Sequence, residues 1–200
     1  MSVKPYHHGK LRDSLIEAGI ELMNREGANQ FSLRKVAAQC GVSQAAPYSH
    51  FSSKEDLLEA MRDYVTDRFM QVLETSLQSC QDQNDPRRLI QMGKSYVMFF
   101  IENPHYFSFL FSQPCFDVHL SLDDDETSNY PPFQLLKTVA VPILQAMSMP
   151  DEKMEDSIIS MWATVHGLAS IATMKNASYA KNWEAKIEDL IWNRQGYKSE

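Results

Sequence analysis

Apolar residues in this chain recur at three- and four-residue spacing from end to end, and nowhere do they alternate convincingly over the length of a half-buried strand. Leu11, Leu15, Ala18, Gly19, Leu22 and Met23 set the pattern, the stripe of an amphipathic helix that stops at Gly27. Breakers are scarce: Gly 7 plus Pro 9 makes 16 of 200 residues, 8% against an average of roughly 12%. An all-α fold built from long helices is therefore expected. With 44% hydrophobic and 22% charged residues the composition is that of a globular chain, which disfavours disorder and disulfide scaffolds.

Several classes fall away quickly. The longest apolar run, Val97 to Ile101, is too short to cross a bilayer, and the Met-Ser-Val-Lys-Pro start lacks the apolar stretch of a signal peptide, so a soluble, cytoplasmic protein is expected. Cys40, Cys80 and Cys115 lie far apart and form no C-x-x-C pair, which points to reduced, structural thiols. The net charge of -7 hides an asymmetry. Residues 1–54 carry seven basic and four acidic side chains, giving +3; the rest carry twelve and twenty-two, giving -10. A small nucleic-acid reader on an acidic body would look like this, and so would a chance partition.

The N-terminal quarter is punctuated. Ser32 suits the N-cap of a second helix that turns Leu33, Val36, Ala37 and Cys40 inward and ends at Gly41. Ser43 is placed to cap a third over Gln44 to Phe51. Ser52 (with Glu55) or Ser53 (with Asp56) starts a fourth that carries Leu57, Leu58, Met61, Val65, Phe69, Val72, Leu73 and Leu77 on one stripe to about Cys80. Two short helices across a Gly-containing turn form a helix-turn-helix, in which the second enters the DNA major groove; from spacing alone the pair serves equally well as plain core. Further helices are expected at Arg87 to Glu102, Pro104 to Phe111, Pro132 to Met147, Glu152 to Lys175 and Ala180 to Trp192, with a loop from Ser112 to Pro131 that holds the acidic run Asp123 to Glu126.

Phe31-Ser32-Leu33-Arg34-Lys35-Val36-Ala37, then Gly41-Val42-Ser43, then Tyr48-Ser49-His50-Phe51-Ser52-Ser53-Lys54-Glu55-Asp56-Leu57, resembles the DNA-binding region of tetracycline-repressor-like (TetR family) regulators. Trp162-Ala163-Thr164-Val165-His166-Gly167 looks like the Trp-x-x-x-His-Gly segment of one group of C-terminal domains in that family. Pro47 departs from the pattern, standing where the family usually has Leu, Ile or a similar residue. The resemblance implies a helix-turn-helix domain over residues 1–54, a helical effector-binding and dimerisation domain over 55–200, and a homodimer that leaves its operator when a small molecule binds.

Chemistry then assigns roles. Gln44 can pair with adenine and Ala45 can touch a thymine methyl, so these two are the base-reading candidates. Tyr48, His50 and Lys54 suit phosphate contact, with Ser32, Arg34 and Ser43 as further phosphate candidates and His7, His8, Lys10 and Arg12 as a weaker basic approach. In the body, Phe99, Phe107, Phe111, Trp162 and His166 are the candidate effector contacts; such aromatics can line a cavity or fill a core, and the resemblance to ligand-responsive regulators favours the cavity. The dimer surface is expected on the last two helices, where Met154, Ile158, Met161, Trp162, Val165, Leu168 and Ala172 share one stripe, Ile159, Ile171 and Met174 lie off it, and Trp183, Ile187, Leu190 and Ile191 make another. No catalytic, cofactor or metal motif stands out: Glu102-Asn103-Pro104-His105 is a lone Glu-x-x-His interrupted by proline. A helical small-molecule sensor or adaptor without DNA binding is the competing reading, followed by a helical-bundle metalloenzyme.

Overall fold

A computed structural model describes residues 8–111, 117–122, 130–180 and 182–194; His7, Cys115 and the acidic run 123–126 lie outside them. Every regular element among the described residues is helical: α1 (His8–Glu26), α2 (Leu33–Gln39), α3 (Lys54–Leu77), α4 (Arg87–Glu102), α5 (Pro104–Phe111), α6 (Pro131–Ala146), α7 (Asp151–Thr173) and α8 (Trp183–Arg194), with 3-10 turns at Ala28–Gln30 and Ala46–Ser49. The chain forms two compact units. One runs to Val65 and takes in the stretch from Ser108; the other holds the remainder, so the division falls inside α3.

In the first unit, α1 buries Leu11, Leu15, Ile16, Ala18, Ile20 and Leu22 and ends at Gly27, whose φ of 80° a side chain would strain. The Ser32 hydroxyl accepts from Lys35 N at 3.4 Å and opens α2, which turns Leu33, Val36 and Ala37 inward. Gly41, at φ 67°, closes it, donating to Ala38 O at 3.1 Å while Val42 N reaches Ala37 O at 3.0 Å.

The helix expected from Gln44 to Phe51 is instead a 3-10 turn at Ala46–Ser49. Its cap position falls on Ala45 rather than Ser43, and Pro47, in the first turn, has no N–H to extend the ladder. Backbone bonds run three residues apart, from Ala46 N to Ser43 O and from Tyr48 N to Ala45 O, until Phe51 N reaches Pro47 O at 2.9 Å.

Of the two possible caps for α3, Ser53 is the one used. Its Oγ accepts from Asp56 N at 3.1 Å, and the Asp56 carboxylate accepts from Ser52 N at 2.7 Å and Ser52 Oγ at 2.9 Å, which holds that carboxyl below its ordinary range. Ser53→Ala is expected to cost about 1 kcal/mol in denaturant unfolding, with Ser52→Ala costing less. Along α3, Leu57, Met61, Val65, Phe69 and Leu73 are fully buried at four-residue spacing. Val72, expected on the same stripe, is 37% exposed, and the helix stops at Leu77 rather than near Cys80.

In the second unit, α4 packs along α7 and α8. Gly93 permits this: a Cβ there would lie 2.9 Å from Ile191 Cδ1 and 3.1 Å from Val165 Cγ1. Lys94 ties α4 to α8 through Glu184 at 3.0 Å and Glu188 at 3.5 Å. The core is aromatic, with Phe69 within 4.9 Å of the ring centroids of Tyr96, Phe99 and Phe100. Residues 117–122 are fastened by the buried Lys137, which donates to Ser121 O at 2.9 Å, and by Glu155, which accepts from Leu122 N at 3.0 Å.

Candidate nucleic-acid interface

The first unit sorts its polar side chains into two sets. A lattice of side-chain bonds joins the end of α1 to α2: Arg25 donates to Gln39 at 3.0 Å, Gln39 to Glu21 at 2.8 Å, and Lys35 to Glu26 at 2.7 Å and Gln30 at 3.1 Å. Lys35 first and then Arg25 lower the Glu26 carboxyl. Two of the basic residues that make this segment positive are therefore occupied internally. Arg34 is exposed and makes no ion pair among the described residues.

The 3-10 turn packs against α2, and Ser43, Gln44, Ala45 and Tyr48 are exposed there, Tyr48 at 55%. An exposed phenol beside an exposed amide is an arrangement suited to phosphate and base contact, since neither side chain is committed to the core. His50 is half-buried with its ring 6.2 Å from Phe51, which is itself buried. Ser32 and Lys54 also have internal partners. The Ser32 hydroxyl caps α2 as an acceptor and keeps its own O–H for donation. Lys54 Nζ donates to Ala28 O at 3.1 Å and sits 5.7 Å over the Phe31 ring, leaving two of its three N–H groups. Arg12 lies 5.5 Å over Phe51; the side chains of His8 and Lys10 lie outside the described residues.

The second unit contains a cavity of about 420 Å³ lined by residues of α4, α6, α7 and α8, with Leu89, Met92, Leu136, Met161 and Val165 among them. Of the five residues expected around an effector, Trp162 lines it. The others are placed differently. Phe99 is buried in the aromatic core, stacked on Phe69 at 4.9 Å. Phe107 packs on Phe100 and on His166, each at 5.2 Å, and Phe111 belongs to the first unit. His166 stands behind the wall, its Nδ1 3.0 Å from the Tyr96 hydroxyl. Phe99 and Phe107 fill the core, and much of the wall beside Tyr96 and Trp162 is aliphatic and thioether side chains that a sequence does not distinguish from core. The one signal was Gly93, a glycine inside an apolar helix.

Burial pushes the Tyr96 phenol up, with the Trp162 indole opposing, and burial pulls His166 down. An unfolded His takes its proton near the ordinary value of 6.5 while the folded ring takes it only lower. Stability is thus full above that pH and is lost as pH falls below it toward the folded value. His166→Gln is expected to remove this component, seen as a flatter dependence of the unfolding midpoint on pH below 6.5. Glu102 and His105 lie on different helices, α4 and α5, with Asn103 between them, and no cluster of three or more metal-ligating side chains occurs among the described residues.

Residues 15–61 match the family described as bacterial regulatory proteins, tetR family, and residues 89–191, more than half of the chain, match a tetracyclin repressor-like C-terminal domain. The chain belongs to the TetR family. It is 34% identical over 94 residues to an HTH-type transcriptional regulator of Haemophilus influenzae, covering 47% of this chain and 49% of that one. It is 30% identical over 95 residues to the nucleoid occlusion factor SlmA of Aliivibrio fischeri, covering 46% and 47%. This TetR-family chain thus spans about half the length of the curated relatives it matches. A putative transcriptional regulator of Pseudomonas aeruginosa shares its fold at a TM-score of 0.72 and 19% identity, over 95% of this chain and 92% of the other. The family is one of regulatory proteins rather than enzymes, as the sequence reading expects. No helix among the described residues is long and apolar enough to cross a membrane.

Proposed function

We propose that this TetR-family chain is a cytoplasmic, sequence-specific DNA-binding repressor that acts as a homodimer on a palindrome-like operator and is released by a small molecule bound in its body. The observation that carries this reading is the first unit's arrangement: a capped α2, a positive-φ turn at Gly41, exposed Gln44, Ala45 and Tyr48, and the Ser53-capped start of α3. Gln44 and Ala45 read bases; Tyr48, Arg34, Ser43, His50 and the spare donors of Ser32 and Lys54 hold phosphates.

The dimer reading draws support from α7. Ile171 and Met174 are 49% and 54% exposed, and a Cβ on Gly167 would meet nothing within 4 Å, so this chain's own packing does not demand a glycine there. A second copy's helix could approach closely at that point, with the Trp-x-x-x-His-Gly segment supplying both cavity wall and subunit contact. An effector that prefers a dimer with wrongly spaced reading turns lowers operator affinity by its differential binding to the two states. Selection of duplexes from a randomised pool by the full chain tests the reading. Enrichment of a two-fold symmetric site is expected; no enrichment even at low salt, where phosphate attraction is strongest, favours the adaptor instead.

A further inference from the structure

A second hollow, of about 780 Å³, lies between α6, the first turns of α7 and Leu122. It shares no lining residue with the first cavity and uses other faces of the same helices. At about 100° per residue, Asp151, Glu152 and Glu155 stand across α7 from Lys153, Asp156 and Ser160, and Lys137 and Val141 stand across α6 from Pro132 and Leu136. Its lining is charged where the first is largely apolar. Lys137 is 6% exposed, the one charged residue buried to this degree among the described residues. An ammonium so placed needs a counter-charge or a full set of acceptors, because burial strips it of water. It has neither: one N–H goes to Ser121 O at 2.9 Å, and Lys137 enters no ion pair among the described residues. Two N–H groups remain. Fastening Ser121 O asks for a donor, not for a charge, so this bond does not account for a lysine.

The same hollow holds unused acceptors. Gln134 Oε1 is buried and has no hydrogen-bond partner, and the side chains of Asp151 and Glu152, exposed at the start of α7, make no hydrogen bond or ion pair among the described residues. Their charge suits the N-terminus of α7, yet that role leaves their oxygens open. Asp151, Glu152 and Glu155 do not converge as metal ligands would, since no cluster of three or more such side chains occurs among the described residues. A plain anion drawn to Lys137 meets the repulsion of three carboxylates, and a plain cation drawn to the carboxylates meets Lys137. A molecule that carries both charges escapes both penalties. We infer that this hollow binds a small zwitterion, an amino acid or related aminocarboxylate, with its carboxylate on Lys137 Nζ and its ammonium toward Gln134 Oε1 and the carboxylates at the start of α7. The site is separate from the first cavity and from the DNA-facing turn, so it stands whether or not the chain binds an operator.

The full chain is titrated calorimetrically with glycine, 4-aminobutanoate and 6-aminohexanoate, and with butanoate and butylammonium as single-charge controls. At least one zwitterion of the series is expected to bind saturably and at least about tenfold more tightly than either control, the size of one charge-assisted hydrogen bond. Lys137→Met, which keeps the apolar stem, is expected to remove that advantage; its thermal midpoint is recorded as well, because the change also releases Ser121 O. The double variant Asp151→Asn, Glu152→Gln alters exposed side chains that have no partner to lose, so it decides the matter even where Lys137→Met does not fold. It is expected to weaken the zwitterion severalfold and leave butanoate no weaker. Ser160→Trp, an exposed change at the first cavity, is expected to leave zwitterion binding as it was. Zwitterion binding no tighter than both controls overturns the inference, and so does binding left unchanged by the double variant or by a folded Lys137→Met, which assigns Lys137 to the fold alone. A tenfold loss in Ser160→Trp would place the ligand in the first cavity and overturn it too.

Discussion

Phe69→Ala is expected to destabilise the body by about 3–5 kcal/mol, the largest effect of any single truncation considered for this chain. The ring is fully buried and lies 4.9 Å from Tyr96 edge-on at 79°, 4.9 Å from Phe99 stacked at 25°, and 4.8 Å from Phe100 tilted at 55°. Such pairs each add about 0.5–1.5 kcal/mol beyond burial. The hole left behind cannot collapse easily, because its walls are fixed from their far sides: Phe100 by Phe107 at 5.2 Å and Tyr96 by its contact with His166 at 3.0 Å. The thermal midpoint should fall on the order of 10 °C, read by loss of near-ultraviolet dichroism. Val72→Ala provides the comparison on the same helix. Val72 is 37% exposed, so its truncation should stay within about 0.5 kcal/mol of the parent. Equal costs for the two variants would mean that the aromatic cluster does not organise this unit.

Phe69 was legible in the sequence because Leu57, Met61, Val65, Phe69 and Leu73 repeat every four residues, a spacing that reads as the buried stripe of a helix. The starts and stops set by side chains were legible for the same kind of reason: Ser32, Ser53, Gly27 and Gly41 act on backbone groups within four residues of themselves. Two features escaped this local logic. Pro47 was visible as a departure, yet that it leaves a 3-10 turn where a helix is expected depends on how the turn seats against α2. Gly93 does not name its neighbours locally, although its lack of a side chain is what lets Ile191 and Val165 approach α4 from helices seventy and more residues away in sequence.

The cavity of the second unit shows the limit more sharply. Large aromatic rings suit a cavity wall and a core alike, and Phe99 and Phe107 are packed ring on ring. Beside Tyr96 and Trp162 the wall is formed by residues such as Leu89, Met92, Leu136 and Met161, which carry no chemical mark until three helices bring them together. The DNA-facing candidates differ in kind. Exposed polar side chains beside a turn are set by local sequence, so Gln44, Ala45 and Tyr48 were readable, whereas the internal use of Lys54 by Ala28 O, twenty-six residues back, was not.

Tyr48→Ala should weaken binding to every duplex at least about tenfold, since a hydrogen bond to a charged group contributes about 1.5–3 kcal/mol and the proposed dimer would make it twice. Tyr48→Phe separates hydroxyl from ring: a loss equal to that of Ala assigns the contact to the phenol oxygen. Gln44→Ala should instead change preference at one base position, by about 1–3 kcal/mol, with little effect on non-cognate DNA. Lys54→Ala should weaken all sequences and lower the slope of log affinity against log salt by about 1 for each subunit's phosphate contact. It also releases the start of α3 from the Ala28 carbonyl and the Phe31 ring, so its unfolding midpoint should fall while those of Tyr48→Ala and Gln44→Ala should not. A lowered midpoint with an unchanged salt slope would assign Lys54 to the fold alone. Unaltered isotherms for Tyr48→Ala, Gln44→Ala and Lys54→Ala together would show that this face does not meet DNA.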